Sequence, residues 1–116
     1  MRFTTALVAA LPIIAVYAAD FQVLVGNNGG LTYDPPQVTG AVVGDTVSFV
    51  FMPKNHTVTQ STFAAPCQSM ANGIDSGFQP VAAGATNLPS WSFTVNDTSA
   101  PLWFYCAQVG GAWSSP

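Results

Sequence analysis

The chain has 116 residues, a formal net charge of −3 and only 6% charged side chains, which limits it to one small domain. Two basic residues, Arg2 and Lys54, face five aspartates, so phosphates cannot be neutralised and nucleic acid and anionic lipid are poor partners. The opening "MRFTTALVAALPIIAVYA" carries one positive charge, an uncharged apolar run, and the small residues Val16 and Ala18 before Ala19. It reads as a secretory signal peptide over residues 1–18, too short and wrongly flanked for a spanning helix. Pro12 and the lack of a polar face argue against a buried N-terminal helix. The mature domain is then 19–116. It contains no second long apolar run, so it is expected to be secreted, without a membrane span.

From Phe21 onward the apolar residues recur with the period of strands. In "FQVLVG" Phe21, Val23 and Val25 share one face. "GNNGG" is a turn rich in residues that tolerate positive φ. Pro35 and Pro36 break "LTYDPPQVTGAVVGD" into short edge pieces and bends. Residues 46–52, "TVSFVFM", form a strand by their β-branched and aromatic content, with Val47, Phe49 and Phe51 on one side. "HTVTQST" reads as one further strand. "AAPCQSMANGIDSG" reads as loop, with a turn of helix near residues 68–71, and "FQPV" and "AGATNLPS" as loop-rich connection. "WSFTVN" places Trp91, Phe93 and Val95 together, and "PLWFYC" is the last strand seen. Short strands, many Gly and Pro turns and no amphipathic helix indicate an antiparallel all-β Greek-key sandwich or small barrel.

The chemistry-bearing residues are few. Two cysteines in a secreted chain most simply form one disulfide, Cys67 to Cys106. Two glycosylation sequons occur, at Asn96 and Asn55. Asn96 lies in the turn-rich "VNDTSAP" and is the better acceptor, because Asn55 adjoins His56. The single histidine has no Ser or Cys partner nearby in sequence, and no enzyme motif is present. The aspartates Asp20, Asp34, Asp45, Asp75 and Asp97 are dispersed and read as turn residues. Trp91, Phe93, Trp103, Phe104 and Tyr105 read as core and rim packing.

At "FMPKNHTVTQSTFAAPC" the chain resembles a family, the cupredoxins of fungal extracellular proteins, which are related to the plant phytocyanins. The resemblance extends through "VGNNGGLTYDPPQV", "VVGDTVSFVF", "DSGFQPV", "WSFTVND" and "PLWFYCAQ", so it spans about Phe21 to Gln108. It implies a copper site at one end of the sandwich, built from one early histidine and a Cys-x4-His-x4-Met turn. A thiolate, two imidazoles and a weak axial thioether suit both copper oxidation states. By this resemblance His56 is the first imidazole, Cys106 the thiolate, and Asn55 a neighbour that orients the cysteine loop by hydrogen bonds. The same pattern gives Cys67 a disulfide partner at position 112.

The chain departs from that pattern at its end. Gly111 stands where the second histidine is expected, Ala112 where the cysteine is, and Pro116 where the axial methionine is. Met52 and Met70 lie outside that loop. The apolar closing strand is also missing, and no lipid-anchor signal is read. A truncated or altered C-terminus accounts for these losses together; a naturally ligand-free member is the rival reading. Cys67 is then left with a thiol or a substitute bond to Cys106, and a Cys106 in a disulfide cannot bind copper. The resemblance implies a copper-binding, electron-transfer protein of the extracellular space or cell wall, not an enzyme, whose redox or cell-surface partner is unknown. The alternative is a metal-free cupredoxin-fold surface module.

Overall fold

The computed structural model describes residues 17–108. The expected signal peptide up to position 16, and positions 111, 112 and 116, lie outside the described residues. Among the described residues there are eight strands: β1 (Asp20–Val25), β2 (Tyr33–Asp34), β3 (Thr46–Phe51), β4 (Lys54–His56), β5 (Thr59–Ser61), β6 (Gln79–Val81), β7 (Ser90–Thr94) and β8 (Trp103–Tyr105). A short 3-10 turn, Asn27–Gly29, is the only helical element described. Among the described residues no helix is long and apolar enough to cross a membrane.

The larger sheet has the order β2-β1-β3-β7, and two antiparallel pairs, β4–β6 and β5–β8, supply the opposing layer. β1 and β3 run parallel, in register from Asp20↔Thr46 to Val25↔Phe51. The sheet is therefore mixed, not purely antiparallel. The reason lies in the connection: β2 and the proline-rich segment carry the chain back along β1, so β3 starts beside the start of β1. The Asp20 carboxylate accepts hydrogen bonds from the hydroxyls of Thr46 and Ser48 there, which secures the register.

The period-2 faces pack as expected. Val23, Val25, Val47, Phe49, Phe51 and Val95 form one cluster with Val58 and Val81 from the opposing layer. Phe49 is its centre, with the rings of Tyr33, Trp91, Phe93 and Phe104 all within 6.2 Å of its own by centroid. Along the flank between the layers runs an apolar trough of about 710 Å³, bordered by Tyr33, Val38, Phe93, Leu102 and Phe104.

Four local expectations are corrected. "HTVTQST" is not one strand: β4 ends at His56, β5 begins at Thr59, and positions 56–59 are all buried. β4 pairs with β6 and β5 with β8, so the chain crosses from one pair to the other and cannot alternate in exposure. "FQPV" contributes β6, where Pro80 is tolerated in a short two-stranded pair. No helical turn forms at 68–71, because the Met70 N–H is drawn to the Gln60 carbonyl. Two of the aspartates expected in turns, Asp20 and Asp34, lie in strands.

Candidate metal centre

His56 is the last residue of β4, and Cys106 follows directly on β8. The register of β5 and β8, with Thr59 opposite Tyr105, brings these distant positions together. Both side chains are buried, His56 at 0% and Cys106 at 2% exposure. Cys106 Sγ lies 3.9 Å from His56 Nδ1. Cys106 is a free thiol, so the simple Cys67–Cys106 disulfide reading is set aside. Cys67 is half-buried in the loop that follows β5.

The orientation of the imidazole is determined by its other nitrogen. His56 Nε2 lies 3.1 Å from the Pro53 carbonyl oxygen. A carbonyl only accepts, so Nε2 carries the proton and, in the neutral ring, the Nδ1 lone pair faces the sulfur. A backbone carbonyl on the remote ring nitrogen is the usual support of a metal-ligating histidine. Lys54 makes the close turn possible at φ +92°, a conformation non-glycine residues rarely adopt.

A second support went unrecognised in the sequence. Gly26, at φ +81°, lies against the ring: a Cβ there would sit 2.2 Å from Nε2. The only sequence signal was a glycine opening the turn after the first strand, and nothing local connects it with a histidine 30 positions later.

Thr57 is the other missed residue. Its N–H donates to Cys106 Sγ at 3.4 Å, and its Oγ1 accepts from the Ala107 N–H at 2.8 Å. Its carbonyl accepts from the Tyr33 hydroxyl at 2.9 Å. Burial, with Cys106 and Tyr105 adding to it, pushes the Tyr33 phenol well above the ordinary tyrosine range, so it remains a protonated donor. Asn55 does meet the cysteine loop, but through its main chain: Gln108 Nε2 donates to the Asn55 carbonyl at 2.9 Å. The buried Asn55 Oδ1 has no hydrogen-bond partner among the described residues. Of the two sequon asparagines, Asn96 is exposed and Asn55 half-buried.

The donor pair fits a soft or borderline metal. Ligand bonds of about 2.0 Å to nitrogen and 2.3 Å to sulfur, opened to a trigonal angle, span roughly 3.8 Å. The observed 3.9 Å between Sγ and Nδ1 is close to that span, and the sulfur has the Thr57 N–H donor in place. Among the described residues no group of three or more His, Cys, Asp or Glu could hold a metal, so His56 and Cys106 make a pair and not a full set. The positions expected to complete it, Gly111 and Pro116, are not among the described residues.

No family model matches the chain, and no solved structure matches it. Over 91 residues it is 34% identical to a probable GPI-anchored cupredoxin of the fungus Arthroderma benhamiae. The match covers 78% of this chain and 44% of that protein, so the chain spans less than half of its relative's length. The similarity, the all-β sandwich, and the meeting of the two motif residues at one end of it place the chain in the fungal cupredoxin-like family.

Proposed function

We propose that this protein binds copper through His56 and Cys106 and acts as a small extracellular electron carrier. One observation carries the reading: two buried donors face one another across 3.9 Å while the remote ring nitrogen is held by Pro53. When bound, copper supplies a one-electron redox couple. The chain's own residues do the rest. Pro53 and Gly26 hold the imidazole in one orientation, Thr57 directs an N–H at the sulfur, and burial keeps both donors away from bulk water. A carrier suits the site better than an enzyme, since neither His56 nor Cys106 borders the large trough. The signal-like leader, and a relative whose name includes a GPI anchor, support a place outside the cell or at its surface. Asn96, exposed beside β7, is the preferred glycan acceptor.

The test is competition for Cu(I) against a chromophoric chelator. His56→Ala and Cys106→Ser are each expected to lower Cu(I) affinity by more than about tenfold, as loss of one of two ligands requires. Unchanged affinity in both variants would refute the reading. A metal-free surface module is the second reading, favoured by the pair of donors where a blue site needs three in its plane. It predicts no copper binding by the unaltered chain.

A further inference from the structure

A buried row of hydroxyls leads from the Cys106 loop to the surface. Thr57 Oγ1 lies 2.8 Å from Thr59 Oγ1, and Thr59 Oγ1 lies 3.1 Å from Asp75 Oδ1. Both threonines are buried, at 2% and 3% exposure, and Asp75 is exposed at the far end. The Asp75 main chain is held against Thr59 by an antiparallel bridge, and its Oδ1 also accepts from the Gly77 N–H.

The direction of every proton in this row follows from donor counting. A carboxylate only accepts, so the Thr59 hydroxyl donates to Asp75. That spends its one proton, so the Thr57 hydroxyl donates to Thr59. Thr57 Oγ1 then turns a lone pair to the Ala107 N–H, which donates to it. The row reads Ala107 N–H, Thr57 O–H, Thr59 O–H, Asp75 carboxylate, with each bond polarising the next. Its inner end is the residue whose own N–H meets Cys106 Sγ.

We infer that Asp75 is a positioning residue for Cys106, acting through Thr59 and Thr57. The assignment rests on the reading of Cys106 as a ligand only for its purpose; the hydrogen-bond row exists without metal. Thr57 bridges the sulfur and the next main-chain amide, so an ordered Thr57 hydroxyl holds residues 106 and 107 in one arrangement. With no acceptor at Asp75, the Thr59 proton is released to rotate, and the order of the row is lost. The aspartate is distant from the sulfur and exposed, which is why it reads as an ordinary loop acid in the sequence.

The experiment uses the metal-free full chain, with two readouts: amide hydrogen exchange at Ala107 by NMR, and the rate of Cys106 alkylation by iodoacetamide under native conditions. Asp75→Ala and Thr59→Val are expected to speed both by roughly five- to tenfold, the effect of about one hydrogen bond. Amides of Val47 and Phe49 in β3 serve as the reference for global opening and are expected to stay unchanged. Thr59→Ser and Asp75→Asn, which keep the hydroxyl and the acceptor oxygen, are expected to stay near the unaltered protein. Equal acceleration at Ala107 and in β3 would mean simple destabilisation and overturn the inference. Unchanged rates in Asp75→Ala, or a loss in Asp75→Asn as large as in Asp75→Ala, would overturn it also. Failure of the copper reading is separate: it shows as unchanged Cu(I) affinity in His56→Ala and Cys106→Ser and leaves the exchange result standing.

Discussion

Single atoms decide the geometry around His56. A Cβ on Gly26 would meet the imidazole at 2.2 Å, and the backbone there has φ +81°. Gly26→Ala therefore combines a left-handed conformation with a contact no side chain can make, and is expected to cost more than about 2 kcal/mol. Urea unfolding monitored by tryptophan fluorescence measures it, and Cu(I) affinity should fall with it as the ring is displaced. Asp45 shows the same scale at the other end of the molecule. The Val42 and Ala19 N–H groups, both at 2.9 Å, hold its carboxyl below the usual carboxylate range. A depressed folded value contributes stability above the unfolded value, about 3.9, and loses it as pH falls through the folded one. The thermal midpoint should thus drop on acidification below about pH 4, with a shallower drop in Asp45→Asn. Cleavage before Ala19 would turn that amide donor into an α-ammonium on the same carboxylate. Asp45→Asn should then lower the urea midpoint more in a chain starting at Ala19 than in one starting at Met1.

Among the elements, β3 carries the core. It pairs with both β1 and β7, and its Phe49 ring touches the four other rings of the cluster. Phe49→Ala leaves a void those rings cannot close, with an expected loss of about 3–5 kcal/mol; Phe49→Leu should cost less. Chemical denaturation of both variants checks the order. The short elements act differently. β4 and β5 are separate because Thr57 and Val58 spend their backbone groups elsewhere: the Thr57 N–H on Cys106, its carbonyl on Tyr33, the Val58 N–H on Ser76 Oγ. That break turns His56 and Thr57 toward the β8 end, where a continuous strand would have sent them to opposite faces.

At the scale of the molecule, the site is where two strand pairs converge, and its two donors come from positions 50 apart in sequence. Two donors cannot form the trigonal plane of a blue copper site. The unaltered chain is expected to show no intense thiolate-to-Cu(II) charge-transfer band. An ending that supplies Gly111→His, Ala112→Cys and Pro116→Met, followed by a closing apolar strand, should produce that band. Cys106→Ser or His56→Ala in the same background should abolish it. Visible absorption after Cu(II) addition decides the matter, and a folded but colourless repaired protein would favour the metal-free module.

The strand character of residues 46–51 and the motifs that single out His56 and Cys106 were legible in the sequence because they are local. Alternating Val47, Phe49 and Phe51 must bury one face in any sheet, and a histidine and a cysteine set in matching motifs keep their chemistry in any correct fold. What the tertiary structure decided depends on partners far along the chain. The parallel pairing of β1 with β3 follows from where the connection returns, not from either strand's composition. The break between β4 and β5 depends on Cys106 and Tyr33, and β6 becomes a strand despite Pro80 because β4 lies beside it. Gly26, Thr57 and Asp75 are common turn and strand residues when read alone. They acquire roles only when packing sets a glycine against an imidazole, a threonine against a thiol and an aspartate at the end of a buried row of hydroxyls. Hydrogen bonds and close contacts between such distant positions are products of the packed chain, and short-range patterns do not encode them.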